Sequence, residues 1–204
     1  MRIVIADKSH SIYAAVICKT IAESANVRGT GIAKRTPEYI MTKMENGNAV
    51  IALDGNNFVG FCYIEAWSHG KFVANSGLIV HPDYRGKGHA KKIKQKVFEH
   101  SKVKFPEAKI FSITTGLAVM KMNSDLGYKP VTFSELTEDQ TFWNGCQTCK
   151  NYDVLQRTEQ KMCLCTGMLY DAKVKQKEGK KIKKNVFQRL KHIKETMYLK
   201  KDKK

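Results

Sequence analysis

Short β-branched apolar runs alternate with helical periodicities along the first 135 residues of this 204-residue chain. Arg2 to Ala6 is brief, apolar and β-branched, which predicts a strand. Asp7 or Ser9 can cap the next segment, where Ile12, Ala15, Val16, Ile21 and Ala22 recur near helical spacing to about Ala25. Thr36-Pro37-Glu38 opens a second helix with proline at its first position, ending near Gly47. Ala49 to Leu53 and Asn57 to Trp67 read as a hairpin across Asp54-Gly55-Asn56. Phe72 to Val80 is a further strand, broken by Asn75-Ser76-Gly77. An amphipathic helix then runs to about Val103, followed by a strand (Lys109 to Thr114), a helix (Leu117 to Leu126) and a strand (Val131 to Phe133). The order β-α-α-β-β-β-α-β-α-β predicts a mixed α/β domain over residues 1–138, with no internal repeat.

Composition changes this picture little: 42% hydrophobic residues suffice for one substantial core. No apolar run approaches the ~18 residues of a membrane span. The start, Met1-Arg2-Ile3-Val4-Ile5-Ala6-Asp7, lacks a signal peptide's apolar stretch. A cytoplasmic protein with six reduced cysteines is therefore expected. The net charge of +17 suggests nucleic acid, but residues 173–204 hold 14 Lys/Arg against 3 Asp/Glu. Most of the excess charge belongs to this tail and does not describe the domain before it.

The strongest chemical signal is Arg85-Gly86-Lys87-Gly88-His89-Ala90, which follows an apolar strand and opens a helix. Glycines there give access to backbone conformations closed to other residues, and main-chain N–H groups can approach a ligand closely. With the positive end of the helix dipole they form an anion site suited to a diphosphate. No Gly-Lys-Ser/Thr ends the turn, so it is not a nucleotide P-loop.

Arg85-x-x-Gly88-x-Ala90, preceded by Leu78-Ile79-Val80-x-Pro82, resembles the acetyl-CoA signature of the GNAT acyltransferase superfamily. Leu126-Gly127-Tyr128 resembles the family's closing motif, and the element order agrees from residue 1 to about 135. The resemblance implies a mixed central sheet flanked by helices and direct attack of a neutral amine on an acyl-CoA thioester. Leu78, Ile79 and Val80 would bond the pantetheine arm, the amides across Arg85 to Ala90 the diphosphate, and Thr114 and Thr115 would border the acyl group and thiol. Many members carry a tyrosine four residues before the glycine of the last motif; here that position is Asn123, with Ser124 beside it. The usual acid for the departing thiolate is absent.

For the base, Glu65 or His69 is expected, since a carboxylate in Phe61-Cys62-Tyr63-Ile64-Glu65 interrupts a strand of buried character. A solvated strand end and an ordinary loop histidine are the plainer readings. His81 and His89 are weaker candidates. In the family the loop between the first two helices walls the acceptor site. Here it carries Arg28, Lys34 and Arg35 with no acidic residue, which suits a carboxylate-bearing acceptor. The same stretch, with Ala118 to Asn123 and the cysteine segment, resembles a bacterial GNAT subfamily associated with arginine biosynthesis, which implies glutamate as acceptor and an acetyl or succinyl donor. A protein or another amine remains the alternative acceptor.

Two regions lie outside this frame. Residues 139–172 hold Cys146-x-x-Cys149 and Cys163-x-Cys165, separated by 13 residues, a spacing that can complete a tetrahedral four-thiolate zinc site. Buried cysteines or a redox pair would also account for it. Residues 173–204 place Ile182, Val186, Leu190, Ile193 and Met197 at helical spacing among lysines, a basic amphipathic helix that can dock, pair with a second copy as a homodimer, or meet an anionic surface. Zinc and a basic tail also keep open a non-catalytic reading, a nucleic-acid-binding module on this fold.

Overall fold

The computed structural model describes residues 1–28 and 35–174. The chain divides into two compact units, Met1–Tyr170 and Asp171–Lys204. Of the second, Asp171 to Val174 are described, where the Asp171 carboxylate accepts the Lys173 amide at 2.8 Å. Lys34 and the predicted basic helix of the tail lie outside the described residues.

The first unit is built on one seven-stranded sheet. Its elements are β1 (Arg2–Ile5), α1 (Ala14–Arg28), α2 (Pro37–Glu45), β2 (Ala49–Asp54), β3 (Asn57–Trp67), β4 (Phe72–Val80), α3 (His89–Lys104), β5 (Lys109–Thr114), α4 (Leu117–Asp125), β6 (Lys129–Val131), α5 (Gln140–Asn144), α6 (Tyr152–Arg157) and β7 (Thr166–Tyr170). The strand order is β1-β2-β3-β4-β5-β7-β6. All neighbours pair antiparallel except β4 and β5. This is the mixed α/β architecture the periodicities predict, with one added strand.

Local chemistry accounts for the element ends. Asp7 accepts the Ser9 amide at 2.9 Å and caps a 3-10 turn, Lys8–Tyr13, that precedes α1. That turn shifts the helical phase. The buried face of α1 is Ala14, Ile17 and Ile21, while Ile12 is 79% exposed. Thr36 accepts the Tyr39 amide at 3.3 Å and Pro37 opens α2, as the sequence predicts.

Alternation along β3 sorts its side chains between two layers. Phe61 and Tyr63 pack with α1 and α2, whereas Cys62 and Ile64 pack under α3. A third apolar layer gathers Ala74 and Phe111 with Phe133, Trp143 and Leu155. The Trp143 indole donates to the Thr137 carbonyl at 2.9 Å, so this ring is buried without an orphaned donor. The cysteine-bearing segment therefore belongs to the same unit. Its strand β7 lies between β5 and β6, where Ile110 to Thr114 pair with Tyr170 to Thr166.

Candidate active site

The parallel pair holds together only where Phe72 to Ala74 face Lys109 to Phe111. Beyond Ala74, β4 keeps its ladder with β3 and β5 keeps its ladder with β7 on its other edge, but the two no longer pair with each other and leave a crevice. A bulge drives the separation. Tyr63 faces Ser76 and Phe61 faces Ile79, so Cys62 alone opposes both Gly77 and Leu78, and bulges of this kind sharpen strand twist. Gly77 has φ +64, and a Cβ there would stand 2.3 Å from the Tyr63 ring. Only glycine fits this approach.

At the open end of the crevice, Gly86 and Gly88 adopt φ +75 and +76, and Gly88 is the N-cap of α3. Among the described residues the amides of Gly86 to Ala90 donate to no acceptor. No side chain caps α3 either, so its first turn presents free N–H groups with the dipole behind them. The Arg85 guanidinium is turned inward: it donates to the Val80 carbonyl at 3.0 Å and to Ser24 Oγ at 2.8 Å. Arg85 thus ties the end of β4 to α1. Lys87 stays exposed, its ammonium 3.4 Å from the Asp83 carbonyl oxygen, and the buried Nδ1 of His89 has no partner. On the far side Thr114 accepts the Gly116 amide at 3.0 Å and, with Thr115, lines the crevice.

The crevice opens into a cavity of about 570 Å³ with two unlike walls. The wall toward α2 is polar. Glu65 is largely buried, accepts from the Tyr39 hydroxyl, and lies 3.3 Å from the Lys43 ammonium. Arg35 donates to the Tyr63 hydroxyl at 2.7 Å and stacks over the Tyr39 ring at 5.0 Å. Burial pushes the Glu65 carboxyl above its usual range, and the nearby Arg35 charge opposes that rise. Burial lowers the Lys43 ammonium, as does Arg35.

The opposite wall is apolar and thiol-bearing. Trp67, Phe111 and Phe142 meet at ring-centre distances of 5.0–5.6 Å, and Cys146, Cys149, Cys163 and Cys165 continue the surface. Burial pushes the Cys146 thiol up to about 11 and Cys165 to about 12, and their neighbouring thiols raise both further. All four are free thiols. Among the described residues no three His, Cys, Asp or Glu side chains gather as a metal-holding set. The four thiols interact with one another on this wall, but among the described residues they do not gather into the set expected of a zinc site at Cys146, Cys149, Cys163 and Cys165.

The sequence-predicted residues separate accordingly. Glu65, Arg35, Leu78, Thr114 and Thr115 meet in one cavity. His69 sits exposed at φ +55 in the turn between β3 and β4, away from the cavity wall. Asn123 is fully buried, with Nδ2 3.7 Å from Met168 Sδ, and does not reach the cavity. Arg28 ends α1. Tyr39, Lys43 and Tyr63 join this wall without belonging to any sequence motif; the signals for them are that Tyr39 and Lys43 stand four apart on one helix face and that Tyr63 stands two before Glu65, as side chains on one face must. Among the described residues no helix is long and apolar enough to cross a membrane.

Known proteins share this architecture. The N-acetylglutamate synthase of Neisseria gonorrhoeae, solved with coenzyme A and N-acetyl-glutamate, superposes with a TM-score of 0.59 at 12% identity, covering 83% of this chain and 34% of that one. A Mycobacterium tuberculosis protein in complex with CoA gives 0.58 at 12% identity over 84% and 99% of the two chains. The phosphinothricin acetyltransferase of Sinorhizobium meliloti, with acetyl-CoA, gives 0.56 at 15% identity over 83% and 87%. The chain thus spans about a third of the length of the gonococcal enzyme. No curated protein matches the sequence. At these identities the likenesses establish a fold, and the sequence itself supplies the rest: residues 18–115 match the acetyltransferase (GNAT) family. That match runs from α1 through the parted strands and the glycine turn to Thr115, and it identifies a GNAT acetyltransferase family domain in this chain.

Proposed function

We propose that the acceptor is a small amino acid with a side-chain carboxylate, such as glutamate, and that the chain transfers an acetyl group to its α-amine. One observation carries this reading. The polar wall presents a largely buried carboxylate, Glu65, and a guanidinium, Arg35, around the same pair of tyrosine rings. An amino acid carries the complementary pair, an ammonium and a carboxylate, and Arg binds carboxylates in a fixed planar geometry. Lys34 and Arg28, from the same chain segment, would add positive charge toward a second carboxylate.

The donor lies in the crevice. Leu78, Ile79 and Val80 hold the pantetheine arm, the free amides of Gly86 to Ala90 hold the diphosphate, and Thr114 and Thr115 border the acyl end. Glu65 takes the proton from the acceptor's ammonium, and its raised pKa matches that task better than an exposed carboxylate would. The neutral nitrogen attacks the thioester carbon directly. The aromatic and thiol wall excludes water from this exchange.

Release of free CoA from acetyl-CoA, followed across amino acids, polyamines and a lysine peptide, tests the reading. Glutamate is expected to give the highest kcat/KM; preference for a polyamine or the peptide would overturn the acceptor assignment. Arg35→Met is expected to raise the glutamate KM roughly tenfold or more with a smaller change in the KM for acetyl-CoA. Arg85→Met is expected to weaken CoA binding about tenfold in a calorimetric titration, because the turn loses its tether to Ser24 and Val80. Unchanged affinity would show that the turn keeps its shape without the clamp.

A further inference from the structure

Lys94 of α3 is 1% exposed, yet no carboxylate among the described residues pairs with it. Its ammonium lies 3.4 Å from Asn75 Oδ1 and 5.1 Å from the centre of the Tyr128 ring. Asn75 is itself fixed: its amide donates to Ser101 Oγ at 2.7 Å, and its oxygen accepts the Tyr128 hydroxyl at 3.3 Å. A buried lysine without a counter-ion is costly, and an apolar side chain would fill the same space at no such cost. A local rule broken this plainly points to function.

Its location says which. Asn75 is the first residue of β4 beyond Ala74, where the crevice begins. Glu65 pairs with Ala74, and Ile64 pairs with Asn75. Successive side chains on a strand point to opposite faces. Glu65 therefore reaches the split from the cavity face, and Lys94, through Asn75, from the α3 face. The thioester must lie at that split to be within reach of both the crevice and the base. The position where the family resemblance implies a phenolic acid is held by Asn123, which is buried outside the cavity.

We propose that Lys94 is a positioning residue that stabilises the departing CoA thiolate through its charge beneath the strand split, in place of a phenolic acid. This rests on the acyl-transfer reading above. The acceptor nitrogen forms its bond to the acyl carbon while the carbon–sulfur bond breaks and its electron pair stays on sulfur. Glu65 first passes the ammonium proton on to water, and then takes the second proton that the nitrogen must lose as the adduct collapses. The thiolate departs as an anion in the field of the ammonium and takes a proton from water after release, so no side-chain acid is required.

The arrangement carries a pH signature. Burial lowers Lys94 to about 8. The other groups facing it do not change charge in that range: burial holds the Cys62 thiol of β3 up at about 11 and the Tyr128 phenol well above its usual value. From β1 and β2 the same layer receives Ile3, Val50 and Ala52, which do not titrate. The charged form of Lys94 is present below about 8 and lost above it, so turnover should fall as pH rises through that value.

The test is kcat at saturating acetyl-CoA and amine from pH 6 to 9.5, for wild type and Lys94→Met. The variant is expected to lose roughly 10- to 100-fold in kcat, keep its KM for acetyl-CoA within about twofold, and show no alkaline limb. A merely structural lysine would leave the limb in place. Unchanged kcat with the limb intact overturns the proposal. Should the variant fail to fold, a wild-type kcat that does not fall between pH 7 and 9.5 overturns it equally. No CoA release by wild type with any amine overturns the acyl-transfer reading and this proposal together; release with an unaltered Lys94→Met profile overturns this proposal alone.

Discussion

Glu65→Gln is expected to lower kcat by roughly 10²- to 10⁴-fold, the usual range for removing a positioned general base. The isostere keeps the strand-end packing, and it can still accept from the Tyr39 hydroxyl. What it cannot do is take a proton from an ammonium. In wild type the acidic limb of kcat/KM should lie above the ordinary carboxylate range. Burial raises the Glu65 pKa, the working form is the ionised one, and activity is therefore lost as pH falls through that raised value. The same substitution should remove the limb. Steady-state kinetics from pH 4.5 to 8 measure both effects; a variant within threefold of wild type would leave Glu65 a structural partner of Lys43 and Tyr39.

Gly77→Ala should produce the largest structural effect, a loss of about 3 kcal/mol in urea unfolding. Two costs add. A non-glycine residue at φ +64 is strained by about 1–2 kcal/mol, and overpacking of a filled site adds a similar amount. The side chain that must move is Tyr63, whose hydroxyl holds Arg35 at 2.7 Å. Loss of stability should therefore be joined by a raised KM for the acceptor. Equal stability and an unchanged acceptor KM would mean that the bulge relaxes freely, and the crevice would then owe its shape to something other than Gly77.

Lys94→Met should change stability as well as turnover. Below pH 8 the folded protein carries a buried ammonium that the unfolded chain exposes, a cost of about 3 kcal/mol from its lowered pKa. That cost fades as pH rises from about 8 toward the unfolded value of 10.5. Methionine removes it, so the variant should be more stable at neutral pH and slower in turnover. Gains in stability at the expense of rate mark positions kept for function.

Periodicity and turn chemistry alone made much of this protein legible. β5 falls on Lys109–Thr114 as predicted, and α2 begins at Pro37 because proline at the first helical position is encoded locally. The glycine turn was equally readable, since the need for φ near +75 at Gly86 and Gly88 is a property of those residues wherever the chain goes. Other features depend on what packs beside them. Strand β7 carries Gly167 and a short TGMLY run with little alternation, and it becomes a strand because β5 and β6 offer it two edges. The break expected at Asn75 to Gly77 is instead a bulge in a continuous strand, placed by the fit of Tyr63 over Gly77.

The site divides the same way. The sequence by itself determined the anion turn, because that is a local backbone device that needs only a strand before it and a helix after it, and the motif around it carries the resemblance that implies an acyl-CoA. Tertiary structure decided the chemistry around it. It took His69 and Asn123 away from the cavity and set Tyr39, Lys43 and Arg35 around Glu65. It also put a lone ammonium under the split. A charge acts through distance and burial, and both are fixed only when remote segments of the chain close on one another.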